Sequence, residues 1–217
     1  MKYRLTLLSL LLSLTAFPQK MNDQYSFDVE YGFNVSGKPT ITDFAHWGIS
    51  FRYMMERDWG LRFDFAKDEF SDKGGLGSNY TRVSVQAVNN LGRTLQSMTM
   101  NGEKLGVLAH GGLGYSSLTS NTLEGTDNIL HLIIGLTPQY KISDSFAVYI
   151  DASYIMNFTQ HFKYNGLYPN DGIGTKKSFT GNIINASFGI SYYFGSGKGR
   201  ADWNSMENKN DGDRNYD

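Results

Sequence analysis

Residues 25–36 read YSFDVEYGFNVS: every odd position is large and apolar, and every even position is small, polar or charged. Successive side chains of a strand point to opposite faces, so this stretch predicts a strand with one greasy face and one polar face. The pattern returns along the chain. Trp47, Ile49, Phe51, Tyr53 and Met55 oppose Gly48, Ser50, Arg52, Met54 and Glu56, and from Trp59 onward Leu61, Phe63 and Phe65 oppose Arg62, Asp64 and Ala66. Further sets lie at about 80–93, 104–118, 130–140, 146–158 and 184–194, with Ile129 and Ile133 interrupting the polar face of the sixth. No convincing amphipathic helix follows residue 20, and no later apolar run approaches the ~20 residues of a helical membrane span. Eight one-faced strands in sequence predict an all-β, eight-stranded antiparallel up-and-down barrel, because closing the sheet removes its exposed edges.

The connections carry a second signal. Those after the first, third, fifth and seventh strands are polar and mostly long, at 37–46, 67–79, 119–127 and 159–178. Arg57-Asp58 and the Ser143-Asp144 region are tight turns, while the middle connection, 94–103, is longer than that scheme asks for. Short turns at one end and long loops at the other are the pattern of a transmembrane β-barrel whose short turns are periplasmic. A soluble lipocalin-like barrel would instead hide its apolar face around a ligand.

Composition at the two faces favours the lipid-facing arrangement. Tyr25, Trp59, Tyr140, Tyr192 and Phe194 fall toward the short-turn end, and Trp47 and Tyr115 toward the loop end, as expected of interface aromatics forming two girdles. The opposite faces carry Gly, Ser and Asn together with Asp28, Glu30, Arg52, Glu56, Arg62, Asp64, Arg82 and Asp151. These charges predict a lumenal ion-pair network, since charges taken out of bulk water need partners. In so narrow a barrel the network is expected to be structural, with weak passage of small solutes as a secondary capacity.

The first 20 residues, MKYRLTLLSLLLSLTAFPQK, combine a charged start, an apolar run and small or polar residues near 16–19, the pattern of a secretory signal peptide. The chain therefore divides into a signal peptide over 1–20, a barrel over 21–195 and a polar tail over 196–217, expected to be disordered and periplasmic. An even number of strands places both mature termini on one side. A formal net charge of -1 gives no basic surface for nucleic acid, and the absence of cysteine excludes disulfides, thiolate zinc sites and a lipid-modified cysteine.

The stretches LGVLAHGGLGYS at 105–116, FGISYYFG at 188–195 and GKGRADW at 197–203 resemble the N-terminal barrel of OmpA-like outer-membrane proteins of Bacteroidota, over about residues 25–203. The resemblance implies a Gram-negative outer-membrane location. The aromatic end of the last strand, Phe194, looks like the signal by which such barrels reach their insertion machinery. Expected partners are outer-membrane lipid, lipopolysaccharide, that machinery and other outer-membrane proteins. In the family a peptidoglycan-binding domain usually follows, and the resemblance does not carry that activity to a chain read as far as Asp217.

Catalytic chemistry finds little support in spacing. His46 and His161 fall near the outer ends with Asp43 and Asp171, where solvated loop positions are the expectation. His110 and His131 are expected on inward faces as packed histidines, and two histidines alone make a poor metal site. The alternating Asp211, Asp213, Asn215 and Asp217 lack the downstream Glu of a calcium loop. The reading is a non-enzymatic barrel without cofactor or metal, structural in the envelope. The alternative is an accessory subunit of a larger outer-membrane secretion or uptake complex.

Overall fold

The computed structural model describes residues 23–97, 99–100, 102–169 and 177–203. The expected signal segment lies outside them, as do Asp171 and the polar stretch after Trp203.

Eight strands form a closed barrel in sequence order: β1 (Gln24–Ser36), β2 (Thr42–Met54), β3 (Trp59–Ser71), β4 (Gly77–Asn90), β5 (Leu105–Ser120), β6 (Thr126–Lys141), β7 (Phe146–Gln160) and β8 (Phe179–Phe194). Every neighbouring pair is antiparallel, and β1 closes on β8 with Tyr25 opposite Phe194 and Val29 opposite Ile190. One short helix, α1 (Leu91–Thr94), interrupts the β4–β5 connection, and the Asn90 side chain caps it by accepting from the Arg93 N–H at 3.1 Å. That turn explains why this connection is longer than its two tight counterparts at 55–58 and 142–145.

Strands run further than the alternation suggested. β2 begins at Thr42 and β3 continues to Ser71, so residues expected in loops at 42–46 and 67–71 belong to the wall. Phase is kept along β3, and Asp68 and Phe70 point inward, as does His46 of β2. Before His46 a bulge shifts the β1–β2 register, and Phe44 turns outward onto Tyr31 and Phe33.

Outward positions along the middle of the strands are apolar: Phe27, Val29, Phe63, Val85, Leu113, Leu130, Ile134, Ile150 and Phe188 are all exposed on the wall. Inward positions hold the buried residues, which reverses the usual soluble arrangement. The loop-end half of the lumen is an exception to inward polarity. There Ile129, Ile133, Ile155, Ile183, Phe70 and Leu118 pack into one cluster with Phe162 and Tyr164 from the β7–β8 loop. Ile129 and Ile133, which interrupted the polar face in sequence, thus belong to an apolar stopper beneath the long loops.

Candidate functional site: a filled lumen closed at both ends

From the short-turn end up to that apolar cluster, the barrel interior is a polar column. Near its centre Arg62 donates through Nε to Ser50 at 3.0 Å and lies 3.6 Å from Glu30, 3.7 Å from Asp64 and 3.5 Å from Asp151. Asp151 also meets His110 at 2.9 Å and accepts from Thr137 at 2.7 Å and from the Ser153 hydroxyl. Above it, Arg82 pairs with Asp68 at 2.8 Å and Asp64 at 3.6 Å. His46 places one ring nitrogen 2.8 Å from Asp68 and the other 3.3 Å from Glu30. Only the imidazolium carries N–H on both nitrogens and satisfies both carboxylates.

Within the column, the buried guanidiniums of Arg52, Arg62 and Arg82 face twice as many buried carboxylates: Asp28, Glu30, Asp64, Asp68, Asp151 and Asp202. His46, placed between Glu30 and Asp68, is where further positive charge offsets this excess.

Of the charges expected inside, Asp28, Glu30, Arg52, Arg62, Asp64, Arg82 and Asp151 are all buried in the lumen. Glu56 is not. β2 ends at Met54, and Glu56 falls in the exposed 55–58 turn, where alternation no longer sets direction. Replacing Glu56 with Ala is accordingly expected to change the unfolding free energy, read from the urea midpoint, by no more than about 0.5 kcal/mol.

His46 also departs from expectation, being fully buried in the lumen rather than solvated in a loop. His161 sits beside Asp127 at 3.0 Å, and Asp43 accepts from the Ser71 N–H at 2.7 Å, so these groups do not assemble into one site. His110 and His131 are inward with separate partners: His110 contacts Gln86 and Asp151, and His131 contacts the Ser116 hydroxyl. Among the described residues no group of three or more His, Asp or Glu is placed to hold a metal.

The aromatics stand on the outer wall. Tyr25 stacks on Tyr53 at 4.8 Å and on Phe194 at 5.6 Å, with Tyr192 and Phe146 continuing the band at the short-turn end. Trp59 and Tyr140 are exposed near that same end, and Trp47, beside Phe65, and Tyr115 lie farther toward the loops.

Both ends of the column are shut. At the loop end Tyr164 enters the mouth, its hydroxyl accepting from Asn157 at 2.9 Å and its carbonyl from Ser78 at 2.6 Å. Burial holds the Tyr164 phenol well above its ordinary pKa, so it stays neutral. At the short-turn end residues 195–203 fold back under the barrel, with Ala201 and Asp202 fully buried and Trp203 nearly so. The stretch expected to be a disordered tail from 196 therefore begins with an ordered strap. Its sequence signal was the lone tryptophan, two residues after an alanine, in otherwise polar surroundings. Between the two closures the cavity lined by Asp28, Arg62, His110, Thr137, Gln139 and Tyr149 has a volume of about 10 Å³, room for roughly one water.

No protein-family model matches the chain, and no curated protein matches it. Among solved structures, Neisserial surface protein A is similar, with a TM-score of 0.53 and 12% identity over 80% of this chain and 97% of its own. Ail, the attachment invasion locus protein of Yersinia pestis, is 17% identical over 80% of this chain and 100% of its own, with a TM-score of 0.47. A major outer membrane protein from Thermus thermophilus is 12% identical over 79% of this chain and 99% of its own, with a TM-score of 0.49. At these identities the first likeness bears on the fold alone, and it is the barrel fold.

Proposed function

We propose that the chain is a non-enzymatic outer-membrane barrel of a Gram-negative bacterium, resembling the OmpA-like barrels of Bacteroidota, with a structural role in the envelope. The observation that carries this reading is the inverted distribution of polarity. A wall of exposed Phe, Val, Leu and Ile surrounds a lumen of paired charges, an arrangement that lipid stabilises and water does not. The aromatic bands at the two ends suit the headgroup layers, and outer-membrane lipid and lipopolysaccharide are the partners this wall would meet. The short turns and the strap face the periplasm in this reading, and the long loops face outward.

The filled column argues for the structural role over porin-like passage. Conduction needs connected space, and a cavity the size of one water between two closed ends supplies none. Two measurements test the proposal. The protein is expected in the detergent-extracted outer-membrane fraction, with a folded band that shifts on boiling. Reconstituted into planar bilayers, it is expected to leave the baseline without steady channels. Recovery as a soluble periplasmic protein would remove the membrane assignment. Sustained ohmic conductance would restore a pore function.

A further inference from the structure

The strap at 195–203 is held as a ligand is held. Its Asp202 carboxylate accepts two bonds from Arg52 Nη1 at 2.9 and 3.0 Å, one from Gln24 at 3.0 Å and one from the Tyr193 hydroxyl at 2.6 Å. Gln24 in turn accepts the Ala201 N–H at 2.8 Å. The strap's carbonyls are read separately. Asn90 donates to Ala201 O at 2.8 Å, and Arg93 reaches Arg200 O, Ala201 O and Trp203 O at 3.2, 3.1 and 2.7 Å.

The neighbouring side chains are seated as well. Ala201 packs with Met54, Val88 and Leu108, and Trp203 with Ala147 and Tyr193. Strand β5 makes room with Gly106, where a Cβ would stand 2.7 Å from the Asp202 carbonyl oxygen and 3.1 Å from the Trp203 ring. Gly195 adopts φ +93°, and the glycine-rich GSGKG run from there makes a hinge between wall and strap.

We infer that the short-turn end of the barrel is a peptide-recognition site for an Ala-Asp-Trp sequence, filled in cis by residues 201–203 and open to exchange with the same sequence presented by a periplasmic polypeptide. A side-chain carboxylate, three backbone carbonyls and a flanking aromatic are each met by groups on the barrel, which is how a peptide site achieves specificity. A tether this short keeps the strap at an effective concentration in the millimolar range, so a partner in trans must be abundant or make contacts beyond the three residues. The inference takes only the compartment from the proposed outer-membrane role. Peptide exchange in detergent is independent of which side of a membrane the floor faces, so the two can fail separately.

The test uses the full chain. A protease site inserted after Ser196 is cut once the barrel has folded, leaving the C-terminal fragment held without a covalent bond. The fragment is expected to co-elute with the barrel and to be displaced by excess synthetic peptide of residues 199–208. The same peptide with Asp202→Asn is expected to be at least tenfold less effective, since it loses the charge-assisted bonds to Arg52. Immediate loss of the fragment, equal displacement by both peptides, or retention that millimolar peptide leaves untouched would each overturn the inference. A second variant covers failure of the insertion to fold: in a Trp47→Phe, Trp59→Phe chain, Asp202→Asn is expected to raise acrylamide quenching of Trp203 several-fold. Unchanged quenching removes Asp202 as the recognition group.

Discussion

Replacing Arg62 with Ala is expected to destabilise the folded barrel by about 3–5 kcal/mol, read as a lower urea midpoint for the heat-modifiable band in a fixed detergent. The guanidinium is buried and lies within 4 Å of Glu30, Asp64 and Asp151, on three different strands. Removing it leaves these three buried carboxylates facing one another without the guanidinium between them. The size of the effect comes from that uncompensated charge rather than from the net worth of the ion pairs, because a buried ionic cluster gains little over a well-packed neutral one. A triple replacement, Arg62→Met with Glu30→Gln and Asp151→Asn, is therefore expected to recover most of the loss. Replacing Lys67, whose pairing with Glu69 is partly exposed on the outer face, is expected to cost under about 1 kcal/mol. A wild-type midpoint for Arg62→Ala would mean that the column does not hold the strands.

Most of this column is written in the sequence, because alternation is a strong constraint once one face must be buried. Asp28, Glu30, Arg62, Asp64, Arg82 and Asp151 occupy the polar phase of their strands and point into the lumen. The readings that changed lie where a strand ends. Asp68 and His46 keep the inward phase, yet each stands just beyond the residues whose hydropathy marks the strand, since outer strand ends carry charge on both faces. Glu56 shows the converse: it keeps the phase on paper, but the backbone has already turned at Met54. Asp202 was beyond the reach of periodicity altogether. Its place is set by long-range contacts with Gln24, Arg52 and Tyr193, and only the closed barrel brings those residues together across the floor.

Leu113→Arg is expected to cost about 2–4 kcal/mol in a bilayer, the penalty for a cation on the lipid face of a barrel near mid-depth. Leu113 lies near the middle of β5, opposite Val85 on β4 and Leu132 on β6, and it is 65% exposed. In a water-soluble barrel an exposed Leu tolerates Arg within about 0.5 kcal/mol, so the two solvents predict different outcomes for one substitution. Depth supplies the internal comparison. Thr119 is also outward but stands near the loop end of β5, where the same arginine is expected to cost about 0–1 kcal/mol. A penalty at 113 that falls away at 119, measured as urea midpoints in lipid bilayers, ties the wall to a hydrocarbon slab and not merely to an apolar surface. Equal and small penalties at both positions would sink the lipid-facing assignment, because the wall's exposed leucines and phenylalanines would then have to be buried by something other than membrane.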